Sequence, residues 1–132
     1  MTEPRERRRV SSGGPWEESA GYSRAMVVGD DCWVAGTTDA GPDGRSQHPG
    51  DAGAQAQAVL TIIERALGEA GFRLADVVRT RMFLADIADA AAVSAVHGEV
   101  FGSIRPAATL VAVAALMEPS LLVEIEVQAR RV

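Results

Sequence analysis

The segment Val123-Glu124-Ile125-Glu126-Val127 constrains the fold of this chain more than any other. Apolar and acidic residues alternate there with a period of two, and only an extended strand turns that period into one apolar and one charged face. Such a strand needs a core for Val123, Ile125 and Val127, and it presents Glu124 and Glu126 together on the other side. A different period occurs upstream. Val59, Ile62, Ile63, Ala66, Leu67 and Ala70 recur at helical spacing, with Asp51 placed to start a helix and Gly71 placed to end it. That helix supplies the apolar stripe the strand requires.

The rest of the chain fits around this pair. Two β-prone runs, Ala25–Val28 and Cys32–Gly36, flank Gly29-Asp30-Asp31 and predict a hairpin. Gly41, Pro42, Asp43, Gly44, Pro49 and Gly50 make residues 38–50 a surface loop. Asp76–Ala85 reads as a strand with Val78, Thr80, Met82 and Leu84 on one face and Val77, Arg79, Arg81 and Phe83 on the other. Ala88–Phe101 reads as a second helix, with Val93, Val96, Val100 and Phe101 inward. Thr109–Leu116 and Leu122–Ala129 are the last strands, and a short one is expected at Arg7–Val10. Residues 1–15 otherwise read as a loose segment of one domain spanning 1–132. The order predicts an α+β fold: a six-stranded mixed sheet with two helices on one face.

Charge narrows the function classes. The net charge is −5, and the basic cluster Arg5, Arg7, Arg8, Arg9 is broken by Glu6, which argues against nucleic acid as a partner. The single cysteine, Cys32, allows no intrachain disulfide and sits in an apolar run that suits an inert buried thiol. With no apolar run long enough to span a membrane and no apolar leader, a soluble cytoplasmic protein is expected.

Few residues carry candidate chemistry. Glu124 and Glu126 are either the solvated face of a strand or a pocket carboxylate that moves a proton. His97, on the second helix, is either a half-buried packing residue or an acid–base group. His48 has no ligand-like neighbour in sequence, and no metal-binding spacing occurs. Arg105, ahead of Pro106, is either an exposed charge or a carboxylate clamp.

Taken together, several segments resemble the Rid (YjgF-like, RidA) superfamily of reactive-intermediate deaminases. They are Gly21-Tyr22-Ser23-Arg24-Ala25, Val34-Ala35-Gly36-Thr37-Thr38, the helix from Gln55 to Gly71, Asp76-Val77-Val78-Arg79-Thr80, Pro106-Ala107-Ala108-Thr109 and Val123-Glu124-Ile125-Glu126. The resemblance implies a chorismate-mutase-like trimeric fold, with pockets in clefts between subunits. It implies hydrolysis of 2-aminoacrylate and related enamines or imines to keto acids and ammonia, with no metal or organic cofactor. Carried over by position, Glu124 falls at the water-positioning glutamate, Tyr22 at the pocket tyrosine, and Gly36, followed by Thr37, at a pocket-lining glycine. Leu110 falls where many deaminases have a cysteine, and Ser94 where some have an asparagine.

One departure governs the functional expectation. Ala108 stands at the position of the carboxylate-binding arginine. A bidentate contact of that kind is worth about 2–3 kcal/mol, so its loss weakens binding of 2-imino acids by about two orders of magnitude. Arg105 lies three positions upstream, an odd spacing that points it to the opposite face of a continuous strand. The expected activity is thus on a small enamine, imine or related carbonyl metabolite with a non-standard anchor. Glu124 would orient water or move a proton, assisted by Tyr22 and His97, with Gly36, Thr37, Ser94, Arg105, Ala108 and Leu110 around the substrate. The alternative is a non-catalytic trimeric protein that binds a small metabolite.

Overall fold

The computed structural model describes residues 6–132, so Arg5 and the start of the expected loose segment lie outside the described residues. The elements run β1 (Arg7–Val10), α1 (Pro15–Ala20), β2 (Ala25–Val28), β3 (Asp31–Thr37), α2 (Ala52–Ala70), β4 (Val77–Leu84), α3 (Ala90–Phe101), β5 (Ala107–Ala112) and β6 (Val123–Arg130). One sheet carries six strands in the order β1-β2-β3-β6-β4-β5. Only β4 and β5 run parallel, joined through α3; every other neighbouring pair is antiparallel.

Local chemistry explains the element ends. The Asp51 carboxylate accepts from the Ala54 N–H at 3.0 Å and caps α2, while Gly71 closes it at φ 85°, a left-handed conformation that costs glycine little. Arg8 on β1 reaches across to donate to the Ala70 carbonyl at 2.7 Å, so a base from the sheet edge helps satisfy the helix C-terminus. Gly29, at φ 58°, opens the two-residue turn between β2 and β3.

The core lies between the sheet and the two long helices. From α2 it takes Val59, Leu60, Ile63 and Leu67; from β6 it takes Val123, Ile125 and Val127; Val93 and Phe101 of α3 close one end. The predicted stripe differs at one place: Leu60 is buried, whereas Ile62 sits on its flank.

Four further differences from the sequence expectation have physical causes. The six-residue helix α1 was not anticipated, because one and a half turns leave no measurable periodicity; Pro15 at its first turn and Gly21 at φ 78° at its end are its signals. β4 carries a bulge, with Val77 opposite Ala129 and Arg79 opposite Gln128. The extra residue disturbs the predicted alternation only at the strand's start: Val77 is buried and Val78 46% exposed, whereas Thr80, Met82 and Leu84 are buried together as the spacing predicts. β5 begins earlier and ends sooner than Thr109–Leu116. Its length follows its partner: β4 stops at Leu84, whose carbonyl accepts the last bond from Val113 N–H at 2.8 Å. A 3₁₀ turn, Ile87–Asp89, precedes α3, so the helix starts after Ala88.

Candidate functional site

Alternation along β6 places Glu124, Glu126 and Gln128 on the face of the sheet away from the long helices. Glu126 is paired there with Arg81 of β4, Nη1 to Oε1 at 3.2 Å. Glu124 has no such partner. Its cross-strand neighbour on β4 is Phe83, an apolar ring. On its other side β3 bulges between Val34 and Thr37, and the bulge carries Gly36 to the carboxylate. A Cβ on Gly36 would lie 3.0 Å from Glu124 Cδ and 3.2 Å from Oε2. Glycine is therefore needed for close approach and not for a turn.

The Glu124 carboxyl is pushed above the ordinary glutamate value. Burial is the main cause, the Arg24 charge opposes it, and the Glu126 charge adds to it. Arg24 immediately precedes β2 and donates from Nη2 to the Gly36 carbonyl at 2.6 Å. Its guanidinium carbon lies 5.9 Å from the Tyr22 ring centroid. Tyr22, Arg24, Gly36 and Glu124 thus form one cluster from three parts of the chain. Arg24 is the member not singled out from the sequence. Its signal was its place two residues after Tyr22 and one before Ala25, which is buried, so alternation turns Arg24 outward.

The remaining predicted residues form a second group. His97 Nε2 lies 2.8 Å from the hydroxyl of fully buried Thr80, and its ring packs on Phe101 with centroids 4.8 Å apart. Burial pushes the His97 pKa down, so the imidazole is neutral near pH 7. Ala108 of β5 is the register partner of Thr80, and Leu110 that of Met82. Ser94 lies one helical turn before His97 on α3 and is exposed.

The two groups do not meet within one chain. Glu124 shares its face with Phe83 and, beyond it, Val111, whereas Ala108 lies beside Thr80 on the helix-covered face. The strands that carry Glu124 and Ala108 are separated by β4, about 10 Å at ordinary strand spacing. Two predicted residues are placed otherwise than expected. The Thr37 side chain points into the core, 1% exposed, and its hydroxyl donates to the Ala35 carbonyl at 2.8 Å. Arg105 precedes β5 instead of lying on it, so strand parity does not set its direction. Its φ of 54° makes it the one non-glycine residue with positive φ among those described.

Residues distant along the chain also meet at one open cleft of about 1000 Å³, where Arg7, Arg9, Arg79 and Arg81 stand among Glu17, Glu18 and Glu126, together with Tyr22 and Trp33. Glu124 is not part of its lining; of the Glu124 cluster, Tyr22 borders this cleft. No trio of His, Cys, Asp or Glu among the described residues is arranged to hold a metal ion.

The loop of residues 38–50 is more ordered internally than its turn residues suggest. Buried Asp39 accepts from Ser46 Oγ at 2.8 Å, from the His48 N–H at 3.1 Å and lies 3.1 Å from His48 Nδ1, so His48 does have a partner. Fully buried Gln55 ties this loop to the start of β6. It donates to the His48 and Ser120 carbonyls at 3.1 and 3.0 Å and accepts from the Leu122 N–H at 2.9 Å. Cys32 is fully buried, and burial pushes its thiol up to about 11, as an inert packing residue requires.

Comparison with known proteins adds to this geometry. The family model described as Endoribonuclease L-PSP matches residues 16–131. The crystal structure of Rv2704 from Mycobacterium tuberculosis, a member of the YjgF/YER057c/UK114 family, superposes with a TM-score of 0.87 at 47% identity, covering 96% of this chain and 100% of that one. The uncharacterized protein SCO2049 of Streptomyces coelicolor is 41% identical over 94% of this chain and 92% of its own length. The 3-aminoacrylate deaminase RutC of Acinetobacter baylyi is 37% identical over 80% of this chain and 83% of its own length.

Proposed function

Because the chain belongs to the Endoribonuclease L-PSP (YjgF/Rid) family, we propose that it adds water to, or moves a proton on, a small reactive enamine, imine or related carbonyl metabolite. The observation that carries this reading is the Glu124 carboxylate, half-buried, without an ion-pair partner of its own, and packed on a glycine that leaves room for nothing else. A desolvated carboxylate with a raised pKa is a stronger base than one in water, and so is suited to take a proton from an attacking water. The naming of the Acinetobacter baylyi relative as an enamine deaminase supports the same substrate class.

The proposed sequence balances simply. An enamine first takes a proton on carbon and gives one up from nitrogen, becoming an imine. Glu124 accepts a proton as water oxygen bonds to the imine carbon, then returns it to nitrogen, giving a carbinolamine. Glu124 next takes the hydroxyl proton and passes it to nitrogen as the carbon–nitrogen bond breaks, so ammonia leaves and a carbonyl remains. The site is completed between copies of the chain in a homotrimer: the Tyr22–Gly36–Glu124 cluster of one copy faces the Ser94–His97–Ala108 edge of the next. An exposed strand β5 at the sheet edge and exposed Tyr22, Val78 and Val111 support such packing. Ala108 brings no side-chain donor to the position of the usual carboxylate clamp, and the neutral His97 offers hydrogen bonding without charge, so substrates lacking a carboxylate at the usual place are favoured.

The test uses carboxylate-bearing imines generated in situ by an amino-acid oxidase and carboxylate-free imines generated by an amine oxidase, with ammonia and carbonyl release followed for wild type and Glu124→Gln. The expected result is acceleration by wild type and a loss of about 100-fold in the variant, the usual range for a general base. Identical rates for both proteins across carboxylate-bearing and carboxylate-free imines overturn the proposal. Ligand-dependent thermal stabilisation without turnover would instead select the binding-protein reading.

A further inference from the structure

Glu124 is held from one side by an arginine whose hydrogen bonding is unusual. Arg24 spends one strong bond on the Gly36 carbonyl, Nη2 to O at 2.6 Å. Its Nε is buried and has no hydrogen-bond partner. A guanidinium offers five N–H groups, and leaving a buried one unpaired costs free energy. Such an arrangement persists where the charge itself has a use. The groups around it show which use. On one side stands Glu17 of α1, buried, whose carboxylate accepts from Ser11 Oγ at 3.0 Å and from Ser12. The Arg24 charge also acts on Glu124, and its guanidinium carbon lies 5.9 Å from the Tyr22 ring centroid.

Glu17 already has its own donors. Burial acts to raise its pKa, but the bonds from Ser12 and Ser11 and the Arg24 charge outweigh burial and hold it below the ordinary value. Glu124 has no serine donors. The other charged groups near it are Glu126, which repels, and Arg81, which is spent on Glu126. Phe83 of β4 and Gly36 of β3 bring no charge.

We infer that Arg24 is a positioning residue for Glu124: through its bond to the Gly36 carbonyl it fixes the bulge against which the carboxylate packs, and it supplies the positive charge that acts on that carboxylate. The inference rests on the role proposed for Glu124, but its first test does not depend on turnover. Three links carry it. The Gly36 carbonyl is bound to Arg24, the Gly36 Cα face is occupied by Glu124, and the Arg24 charge acts on Glu124, which lacks the serine donors that Glu17 has. Removing it leaves Glu124 with desolvation and a like-charged neighbour, both of which favour the protonated acid.

The experiment is a carbon-13 titration of the Glu124 side-chain carboxyl in wild type, Arg24→Met and Arg24→Lys, with thermal melts of each. The Glu124 midpoint is expected to rise in Arg24→Met and to return most of the way toward wild type in Arg24→Lys. Where a substrate is turned over, the acid limb of the pH–rate profile moves by the same amount, whereas a merely structural role would lower rates equally at every pH. An unchanged Glu124 midpoint in a folded Arg24→Met protein overturns the inference. Should that variant not fold, the nitrogen-15 signal of Arg24 in wild type decides. It must follow the Glu124 midpoint, and that response must vanish in Glu124→Gln; a signal that ignores Glu124 overturns the inference equally. Failure of every imine substrate with the titration coupling intact would remove the proposed reaction and leave the pairing standing.

Discussion

Replacing Gln55 by leucine tests whether a single buried amide holds the loops around the site. Gln55 is fully buried, and all three of its bonds go to backbone groups: the His48 and Ser120 carbonyls and the Leu122 N–H. Leucine keeps the approximate volume and removes every polar atom. The Leu122 N–H would be left without an acceptor, at about 1–3 kcal/mol, and the Ser120 carbonyl would lose its donor, at about 1–2 kcal/mol. The His48 carbonyl adds little, because it also accepts from the Asp51 N–H at 3.3 Å. Burying leucine instead of an amide offsets roughly 1–2 kcal/mol. The net expectation is a loss of about 2 kcal/mol, which for a domain of this size lowers Tm by roughly 6–8 °C. Urea melts by circular dichroism, at one fixed protein concentration so that assembly does not confound them, measure it. Gln55→Glu should cost more, since it keeps the acceptor for Leu122 but turns a carboxylate toward two carbonyls. A loss below about 1 kcal/mol for the leucine variant, or a glutamate variant as stable as wild type, would refute the accounting.

Two other outcomes follow from the same geometry. Glu124 has a folded pKa raised above its unfolded value, so the stability it contributes is present below the unfolded value and is lost as pH rises through the folded one. Glu124→Gln should accordingly be more stable than wild type at pH 7, with the difference disappearing in acid; melts at pH 4 and pH 7 compare them, and a variant less stable at pH 7 contradicts the sign. Gly36→Ala places a methyl 3.0 Å from Glu124 Cδ, nearer than ordinary contact, so the carboxylate must move by a few tenths of an ångström. Overpacking of that kind costs about 1–3 kcal/mol and should shift the Glu124 carbon-13 resonance, whereas an unshifted resonance would mean the glycine serves no close approach.

The alternation Val123–Val127 and the α2 stripe were sufficient to predict the central layers, because both are local periods of residues that must bury one side. The resemblance in the segments around Tyr22, Gly36 and Glu124 pointed to the family, and the family match extends over residues 16–131. Where the periods are broken, the sequence could not say so. A bulge adds one residue to one strand, and only the partner strand reveals it; Val78 is exposed, whereas Thr80, with which unbroken alternation groups it, is buried. The same rule separates Glu124 from Ala108. Each has a legible identity, but which face and which neighbour each receives depends on register across three strands. Arg24 shows the limit most clearly. Its charge is plain in the sequence, yet its bond to the Gly36 carbonyl spans 12 residues and its influence on Glu124 spans 100. Such partners are chosen by long-range strand pairing and not by anything within reach of a local pattern.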